Sequence, residues 1–184
     1  NIGEAQDFES VMNAALLLRD DDVKMVLVGD GRRKEYVDRF IAEHGLESTV
    51  FALGRHPLDT MPAFFAAADV MLLSLKDEPI FSLTVPAKLQ SYMAAGKPVA
   101  IMASGEARRL VAEAECGLSV NAGDAEGLAG IIRRMRQMSR TELDRMGQNG
   151  FSHYKENFTL DKCMDHLCQM LDDGEKERLR QKKK

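Results

Sequence analysis

Short apolar runs separated by amphipathic segments constrain the fold of this chain more than any other feature. The runs lie at residues 23–28, 70–73 and 98–102, with Lys24 as the one charged interruption. Runs of this length and composition are typical of strands buried on both faces of a sheet. Shorter runs at residues 49–53 and 118–120 predict two further strands. All five therefore indicate a largely buried sheet.

The segments between these runs have the spacing of amphipathic helices. Phe8, Val11 and Met12 follow the i, i+3, i+4 pattern, and the same pattern recurs after every predicted strand. Strands that alternate with helices predict a parallel sheet with helices on both faces. With right-handed crossovers, the expected fold is a Rossmann-like, doubly wound α/β domain with a helical carboxyl terminus.

The predicted order of elements begins with a helix rather than a strand. In a doubly wound sheet the first strand is central. We therefore expect one domain over residues 1–172 whose first strand would precede Asn1. Residues 174–184 carry six basic and two acidic side chains, and we expect 173–184 to be a basic, disordered tail. This tail could contact an anionic membrane surface, although a solvated terminus is the favoured interpretation.

Charge and cysteine content exclude several classes of protein. The formal net charge of −4 lacks the basic footprint of a nucleic-acid-binding domain. Three cysteines, an odd number without paired spacing, argue against a disulfide framework and favour a reducing compartment. Cys163 and Cys168 fall on an apolar stripe, so we expect them to be buried. No four convergent residues suggest a zinc site.

A ligand site is expected where the parallel strands end, because open α/β sheets bind ligands beyond their carboxyl edge. Glycines in the loops there allow close approach of the backbone to a ligand, and helix N-termini add N–H donors. This combination favours a phosphate-bearing ligand. No GxxxxGK[ST] sequence is present, which argues against a P-loop NTPase.

The loop after the third predicted strand contains the most informative segment. Residues 76–88 read KDEPIFSLTVPAK and continue as LQSYMAAGKPV. Together with NIGEAQ at residues 1–6, VGDG at 28–31 and ADV at 68–70, this order resembles the carboxy-terminal, donor-binding domain of GT-B glycosyltransferases of family 4. The resemblance extends to about Leu171 and is greatest to the branch that builds bacterial O-antigen and capsule polysaccharides, which includes amino-deoxysugar transferases.

The resemblance implies a function. A family member would transfer a sugar, with retention of configuration, from a nucleoside-diphosphate sugar, expected to be uridine-linked, to a growing lipid-linked glycan. An amino-terminal domain outside this chain would hold the acceptor, so residues 1–184 alone would be inactive. No metal or other cofactor is implied. The expected location is the cytoplasm, with peripheral contact at the inner face of the plasma membrane.

The resemblance also assigns residues. Glu78 matches the acidic position that contacts the donor sugar, where it would accept hydrogen bonds from hydroxyls or stabilise an oxocarbenium charge. Lys88 and Arg55 would neutralise phosphate charge. Backbone N–H groups of the segment Phe81, Ser82, Leu83 and Thr84 would cradle the diphosphate. The remaining predicted donor-binding residues are Gly3, Gly29, Asp30, Gly54, Ser91 and Gly105.

Several positions depart from the family pattern. Ser91 stands where many members have a glutamate for the ribose hydroxyls, and Asn1 and Gln6 stand where many have cations. Arg108 replaces a usual glutamate. These departures leave two alternatives open: a non-catalytic nucleotide-sugar-binding or interaction domain, and an unrelated Rossmann-like enzyme such as half of a sugar epimerase. The acidic run Asp20–Asp22 is interpreted as a polar turn on the side away from the cleft.

Overall fold

The structure, a computed structural model, describes the backbone of residues 2–181 and the side chains of residues 2–173. All five predicted strands are confirmed, each with bounds within two residues of the prediction. They are β1 (Met25–Val28), β2 (Val50–Gly54), β3 (Met71–Ser74), β4 (Val99–Met102) and β5 (Gly117–Val120). Every pairing between them is parallel, which confirms the α/β class.

Nine α-helices lie in the described part of the chain, with one-turn 3-10 helices at Glu4–Gln6 and Leu58–Thr60. The α-helices are α1 (Phe8–Leu17), α2 (Lys34–His44), α3 (Met61–Ala67), α4 (Pro79–Ser82), α5 (Ala87–Ala94), α6 (Glu106–Glu113), α7 (Ala125–Gln137), α8 (Arg140–Asn157) and α9 (Leu160–Gln181). Two differ from the prediction. One is α4, a single turn that interrupts the expected loop, because Pro79 presets the helical φ at its first position. The other is α9, whose backbone stays helical through Gln181 where we expected a tail from residue 173.

The strands form two separate sheet pieces rather than one continuous sheet. β1 pairs with β2, and β4 lies between β3 and β5. Along β1, Met25 is paired with Val50, and along β3, Met71 is paired with Val99. No described strand lies between β1 and β3, and a cavity separates these two strands.

The helices cover both faces of the sheet, as a doubly wound fold requires. Along β4, Ala100 and Met102 pack in cores built by α1, α2, α7 and α8, whereas Val99 and Ile101 pack in the core built by α5 and α6. Because successive strand residues point to opposite faces, the two helix groups lie on opposite sides of the sheet. These two helix layers leave the carboxyl edge of the strands to the loops of the chain.

The acidic run forms a polar turn between α1 and β1, as predicted. The Asp21 carboxylate pairs with Arg133 at 2.9 Å, and that of Asp22 with Arg136 at 3.9 Å, so the turn ties the amino end of β1 to α7. Ion pairs as exposed as these contribute little to stability. The run lies at the opposite end of β1 from the loops expected to bind a ligand.

The prediction for two of the three cysteines is wrong. Cys163 and Cys168 are exposed on α9, whereas Cys116 is buried. The apolar stripe of α9 stays exposed because, within the described residues, this helix packs mainly against the end of α8. None of the helices the structure describes combines the length and apolarity needed to cross a membrane.

The cysteines are therefore expected to differ sharply in reactivity. Burial raises the pKa of the Cys116 thiol to about 11, so almost none of it is the reactive thiolate at pH 8. Alkylation of the folded chain should modify Cys163 and Cys168 at least about a hundredfold faster than Cys116, as measured by mass spectrometry of the peptides. Urea should equalise the three rates. Rapid native modification of Cys116 would contradict its placement in the core.

Candidate functional site

The loops after β1 and β2 meet at the carboxyl edge of the sheet. The Gly29 N–H donates to the Gly54 carbonyl at 2.7 Å, which places two of the predicted donor-binding glycines side by side. Gly29 has φ 135° and Gly54 has φ 73°, values that favour glycine. The Asp30 carboxylate is exposed and accepts the Gly31 N–H at 2.8 Å, so it stabilises this turn.

The first residues of the chain cross this edge from β1 to β3. The Ile2 N–H donates to the Asp30 carbonyl at 2.9 Å, and the Lys76 N–H donates to the Ala5 carbonyl at 2.9 Å. Gly3 therefore lies between the ends of the two strands, beside the loop that contains Gly29. The Gln6 side chain accepts the Gly3 N–H at 3.0 Å, so it holds its own loop in shape.

An ion pair across the same edge was not predicted. The Lys76 ammonium lies 3.3 Å from the Glu4 carboxylate, and the Ser74 hydroxyl donates to the Gln6 carbonyl at 2.5 Å. These contacts join residues about 70 positions apart in the chain. No local sequence pattern predicts this ion pair, because the residues around Glu4 carry no information about Lys76, and the reverse is also true.

Glu78 begins the short helix α4, and its side chain is exposed at the cleft edge. The expected backbone cradle after it is not formed in this conformation. The Phe81 and Ser82 N–H groups donate to the Glu78 carbonyl at 2.9 and 3.2 Å, and the Thr84 N–H donates to the Phe81 carbonyl at 3.4 Å. The Leu83 N–H also points to the Phe81 carbonyl. These N–H groups donate within the helical turn, so they are not free for a ligand. The sequence did not predict this turn, because Pro79 was assigned to a loop.

Gly105 brings the loop after β4 against α4. Its φ of 71° and ψ of −140° are accessible to glycine alone. A Cβ added there would lie 2.6 Å from the Ser82 Cα, so only a glycine allows this approach. Gly105 is also the N-cap of α6 and supplies no capping side chain. The first-turn N–H groups of α6 are consequently available as donors at the cleft.

Lys88 and Ser91 both lie on α5 but differ in surroundings. Lys88 is exposed overall, but its side chain lines the cavity beside β3 together with Gln6 and Ser74, and this partial burial lowers the pKa of its ammonium. The Ser91 hydroxyl donates to the Ala87 carbonyl of its own helix at 3.1 Å. Its oxygen can still accept a hydrogen bond from a ligand hydroxyl, but it offers no charge.

Two arginines at this edge have contrasting roles. Arg55 follows Gly54, and its exposed side chain makes no hydrogen bond or ion pair recorded among the described residues. Arg108 donates to Ser119 at 3.4 Å and to Asn121, which ties α6 to the end of β5. Arg55 can therefore turn toward a ligand, whereas Arg108 is held in the scaffold.

The other charged side chains near the start of α6, Glu106, Arg109 and Glu113, form ion pairs with one another. Hydrogen bonds from Arg109 lower the pKa of Glu106, and hydrogen bonds from Glu106 and Glu113 raise the pKa of Arg109. Within residues 2–173, no cluster of three or more His, Cys, Asp or Glu side chains has the arrangement of a metal site. The polar groups that this edge offers to a ligand thus include backbone donors, the cations Arg55 and Lys88, and the exposed carboxylate of Glu78.

Comparison with known proteins identifies the family. A family model described as glycosyl transferases group 1 matches residues 3–137, which include every one of the loops described above. The chain belongs to this glycosyltransferase family. The match confirms the resemblance inferred from the segment at residues 76–88.

Individual proteins that are similar to this chain are also named as glycosyltransferases. The probable glycosyltransferase WbjE of Pseudomonas aeruginosa is 30% identical over 168 residues, which cover 88% of this chain and 41% of WbjE. The lipopolysaccharide core biosynthesis glycosyltransferase LpsE of Rhizobium meliloti is 28% identical, over 91% of this chain and 46% of its own. The chain thus spans less than half the length of these curated relatives.

A solved structure supports the fold. Anabaena HepE, crystallised in complex with UDP, aligns with a TM-score of 0.78 at 22% identity, over 94% of this chain and 47% of its own. At this identity the likeness shows the fold alone. It confirms the expectation that this glycosyltransferase chain has the Rossmann-like architecture of GT-B enzymes.

Proposed function

We propose that the chain is the donor-binding half of a retaining glycosyltransferase. It would bind a uridine-diphosphate sugar, whose sugar passes to a growing, lipid-linked cell-surface polysaccharide. The observation that carries the proposal is that the family match over residues 3–137 contains the whole carboxyl edge with its glycine-lined loops. Backbone donors and cations at such an edge suit a diphosphate.

The site offers groups for the diphosphate and for the sugar of the donor. The uncapped N-terminus of α6 and the loop at Gly29 and Gly54 present backbone at close range to the diphosphate. Transfer breaks the bond between the anomeric carbon and a phosphate oxygen, and the Lys88 ammonium would stabilise the charge that develops on that oxygen. The Glu78 carboxylate would face the sugar and stabilise positive charge at its ring.

The identities of donor and acceptor draw support from the relatives. HepE was crystallised with UDP, and LpsE is named for lipopolysaccharide core biosynthesis. Those names support a uridine-linked donor and a cell-surface glycan as acceptor. The proposal includes a separate acceptor-binding domain, catalysis without metal or other cofactor, and a cytoplasmic location with peripheral contact at the inner face of the plasma membrane.

One observation favours a second candidate, a non-catalytic nucleotide-sugar-binding domain. The hydroxyl of Ser91 is turned toward its own helix, and the N–H groups of the α4 segment donate within their own turn. Both features reduce the number of hydrogen bonds available to a bound nucleotide, unless α4 rearranges on binding.

Calorimetric titration of the full-length protein with UDP, GDP and ADP, without metal, tests the proposal. We expect micromolar binding of UDP and at least about tenfold weaker binding of the other two. Lys88→Ala and Arg55→Ala should each weaken UDP binding by roughly tenfold or more, because each removes a charge-assisted contact to phosphate.

Arg39→Ala is the matched control. Arg39 is an exposed cation on α2, paired with Glu43 at 4.0 Å, and its loss should leave UDP affinity unchanged. If a folded sample binds none of the three nucleotides, donor binding is excluded. If UDP binds but the purified protein transfers no sugar to any acceptor, the non-catalytic alternative replaces the proposal.

A further inference from the structure

The ion pair between Glu4 and Lys76 lies beside the loops that we propose hold the diphosphate. Lys76 follows β3, and Glu4 follows Gly3, the glycine that lies between the ends of β1 and β3 at the carboxyl edge. The Lys76 ammonium is 3.3 Å from the Glu4 carboxylate, and the two side chains are 36% and 52% exposed. A ligand at this edge can therefore reach both charges.

Backbone contacts fix the position of Lys76 independently of its side chain. Its N–H donates to the Ala5 carbonyl at 2.9 Å, and its carbonyl accepts the Glu78 N–H at 3.0 Å. The Ser74 hydroxyl also donates to the Gln6 carbonyl at 2.5 Å. The ion pair thus adds charge to loops that the backbone already joins. A variant without the ammonium keeps these backbone contacts.

The charges of residues 2–7 themselves oppose an anionic ligand. These residues read IGEAQD and contain two acids but no lysine or arginine. The Asp7 carboxylate is the N-cap of α1, where it accepts the Ser10 N–H. The Glu4 carboxylate, by contrast, has the Lys76 ammonium as its recorded partner in the described part of the chain. A phosphate beside Gly3 would be repelled by Glu4 unless the charge of Lys76 offset that repulsion.

We infer that Lys76 binds the diphosphate of the donor and that Glu4 competes with the diphosphate for its ammonium. A lysine suits such an exchange of partners, because its ammonium is a compact charge with three donors on a flexible stem. The diphosphate carries more negative charge than one carboxylate, so it attracts the ammonium more strongly. The inference rests on the proposed function and adds a third cation to Arg55 and Lys88.

A purely structural role for the ion pair predicts a different result. If the pair only joined two loops, loss of either partner would loosen the edge and weaken donor binding. Competition predicts effects of opposite sign. Loss of Glu4 frees the ammonium for the phosphates, whereas loss of Lys76 leaves an unpaired carboxylate near them. The sign of the Glu4 effect therefore distinguishes the two roles.

Calorimetric titration of the full-length protein with UDP and with uridine measures these effects. Lys76→Met should weaken UDP binding by at least about tenfold, because it removes a charge-assisted contact. Glu4→Gln should tighten UDP binding by about threefold or more, because it removes a like charge. Uridine has no phosphate, so its affinity should change by less than about twofold in either variant. The double variant should bind UDP more tightly than Lys76→Met alone.

The ion pair between Asp69 and Arg140 provides a matched control. It joins residues 71 positions apart at 2.9 Å, as Glu4 and Lys76 are 72 positions apart, but it lies at the amino end of β3. Asp69→Asn should therefore leave UDP affinity unchanged. Lys76→Arg keeps the positive charge and should retain UDP affinity within about threefold of the wild type.

The outcomes separate this inference from the proposed function. If the wild-type protein binds UDP but Glu4→Gln leaves binding unchanged or weakens it, the inference is overturned. UDP affinity of Lys76→Met within about threefold of the wild type overturns it as well. A folded wild-type protein that binds no nucleotide overturns the proposed function, and the inference with it. The Glu4→Gln result is decisive on its own if thermal unfolding shows that Lys76→Met is unstable.

Discussion

Replacing Glu78 with alanine in the full-length protein is expected to lower kcat/KM for sugar transfer by roughly 10²–10³-fold, the usual loss for one preorganised electrostatic group. The reason is that Glu78 is the exposed acid at the start of α4, at the edge where the donor sugar would lie. This carboxylate makes no recorded ion pair among the described residues, so its removal leaves no structural partner behind. Steady-state kinetics with a UDP-sugar measures the effect, which presupposes the proposed function.

The adjacent acid provides a matched control for Glu78. Asp77 is also exposed, and Asp77→Asn should leave kcat/KM within about threefold. Glu78→Gln separates two roles, because it keeps a hydrogen-bond acceptor but removes the charge. A loss close to that of alanine indicates charge stabilisation. Unchanged kcat/KM in Glu78→Ala would contradict the assignment of this residue.

Gly105→Ala is expected to reduce both stability and donor binding. The added Cβ would overlap the Ser82 carbonyl oxygen and lie 2.6 Å from the Ser82 Cα, and the φ of 71° with ψ of −140° is strained for any other residue. The free energy of unfolding should fall by at least about 2 kcal/mol. UDP affinity should also fall by tenfold or more, because α4 must move away from α6. A tenfold loss corresponds to about 1.4 kcal/mol of binding free energy. Urea denaturation and calorimetry measure the two effects.

Gly45→Ala separates backbone strain from the steric contact. Gly45 ends α2 with φ of 63°, and a Cβ there meets nothing within 4 Å. Its replacement should cost only about 1 kcal/mol and leave UDP affinity unchanged. If Gly105→Ala proves no more harmful than Gly45→Ala, the close approach of α4 to α6 is not part of the site.

The strands were predictable because their signal is local. Buried runs such as residues 70–73 and 98–102 are apolar throughout, and glycines such as Gly45 end the intervening elements. The α4 turn was missed because a four-residue helix leaves no periodic pattern to detect. The two exposed cysteines on α9 were misplaced for a related reason. An apolar stripe predicts that a face can be buried, but not that a neighbouring element covers it.

For the candidate site, the sequence indicated the location and most residue types, since glycines and charges clustered after each strand. The directions of donors were not predictable. The N–H groups of Phe81 and Ser82 donate within α4, and the Gly3 N–H donates to the side-chain oxygen of Gln6 in its own loop. The resemblance to a family supplied roles for Glu78 and Lys88, and these roles stay predictions until the variants are measured.

The sequence by itself determined the α/β class, the order of strands and helices and the family, because each follows from local periodicity or from motifs read along the chain. Only the tertiary structure decided which distant residues meet. It paired Glu4 with Lys76, pressed Gly105 against Ser82 and left an open slot between β1 and β3. Such contacts depend on how whole elements pack in three dimensions, and residues far apart in the chain leave no mutual signal in a single sequence.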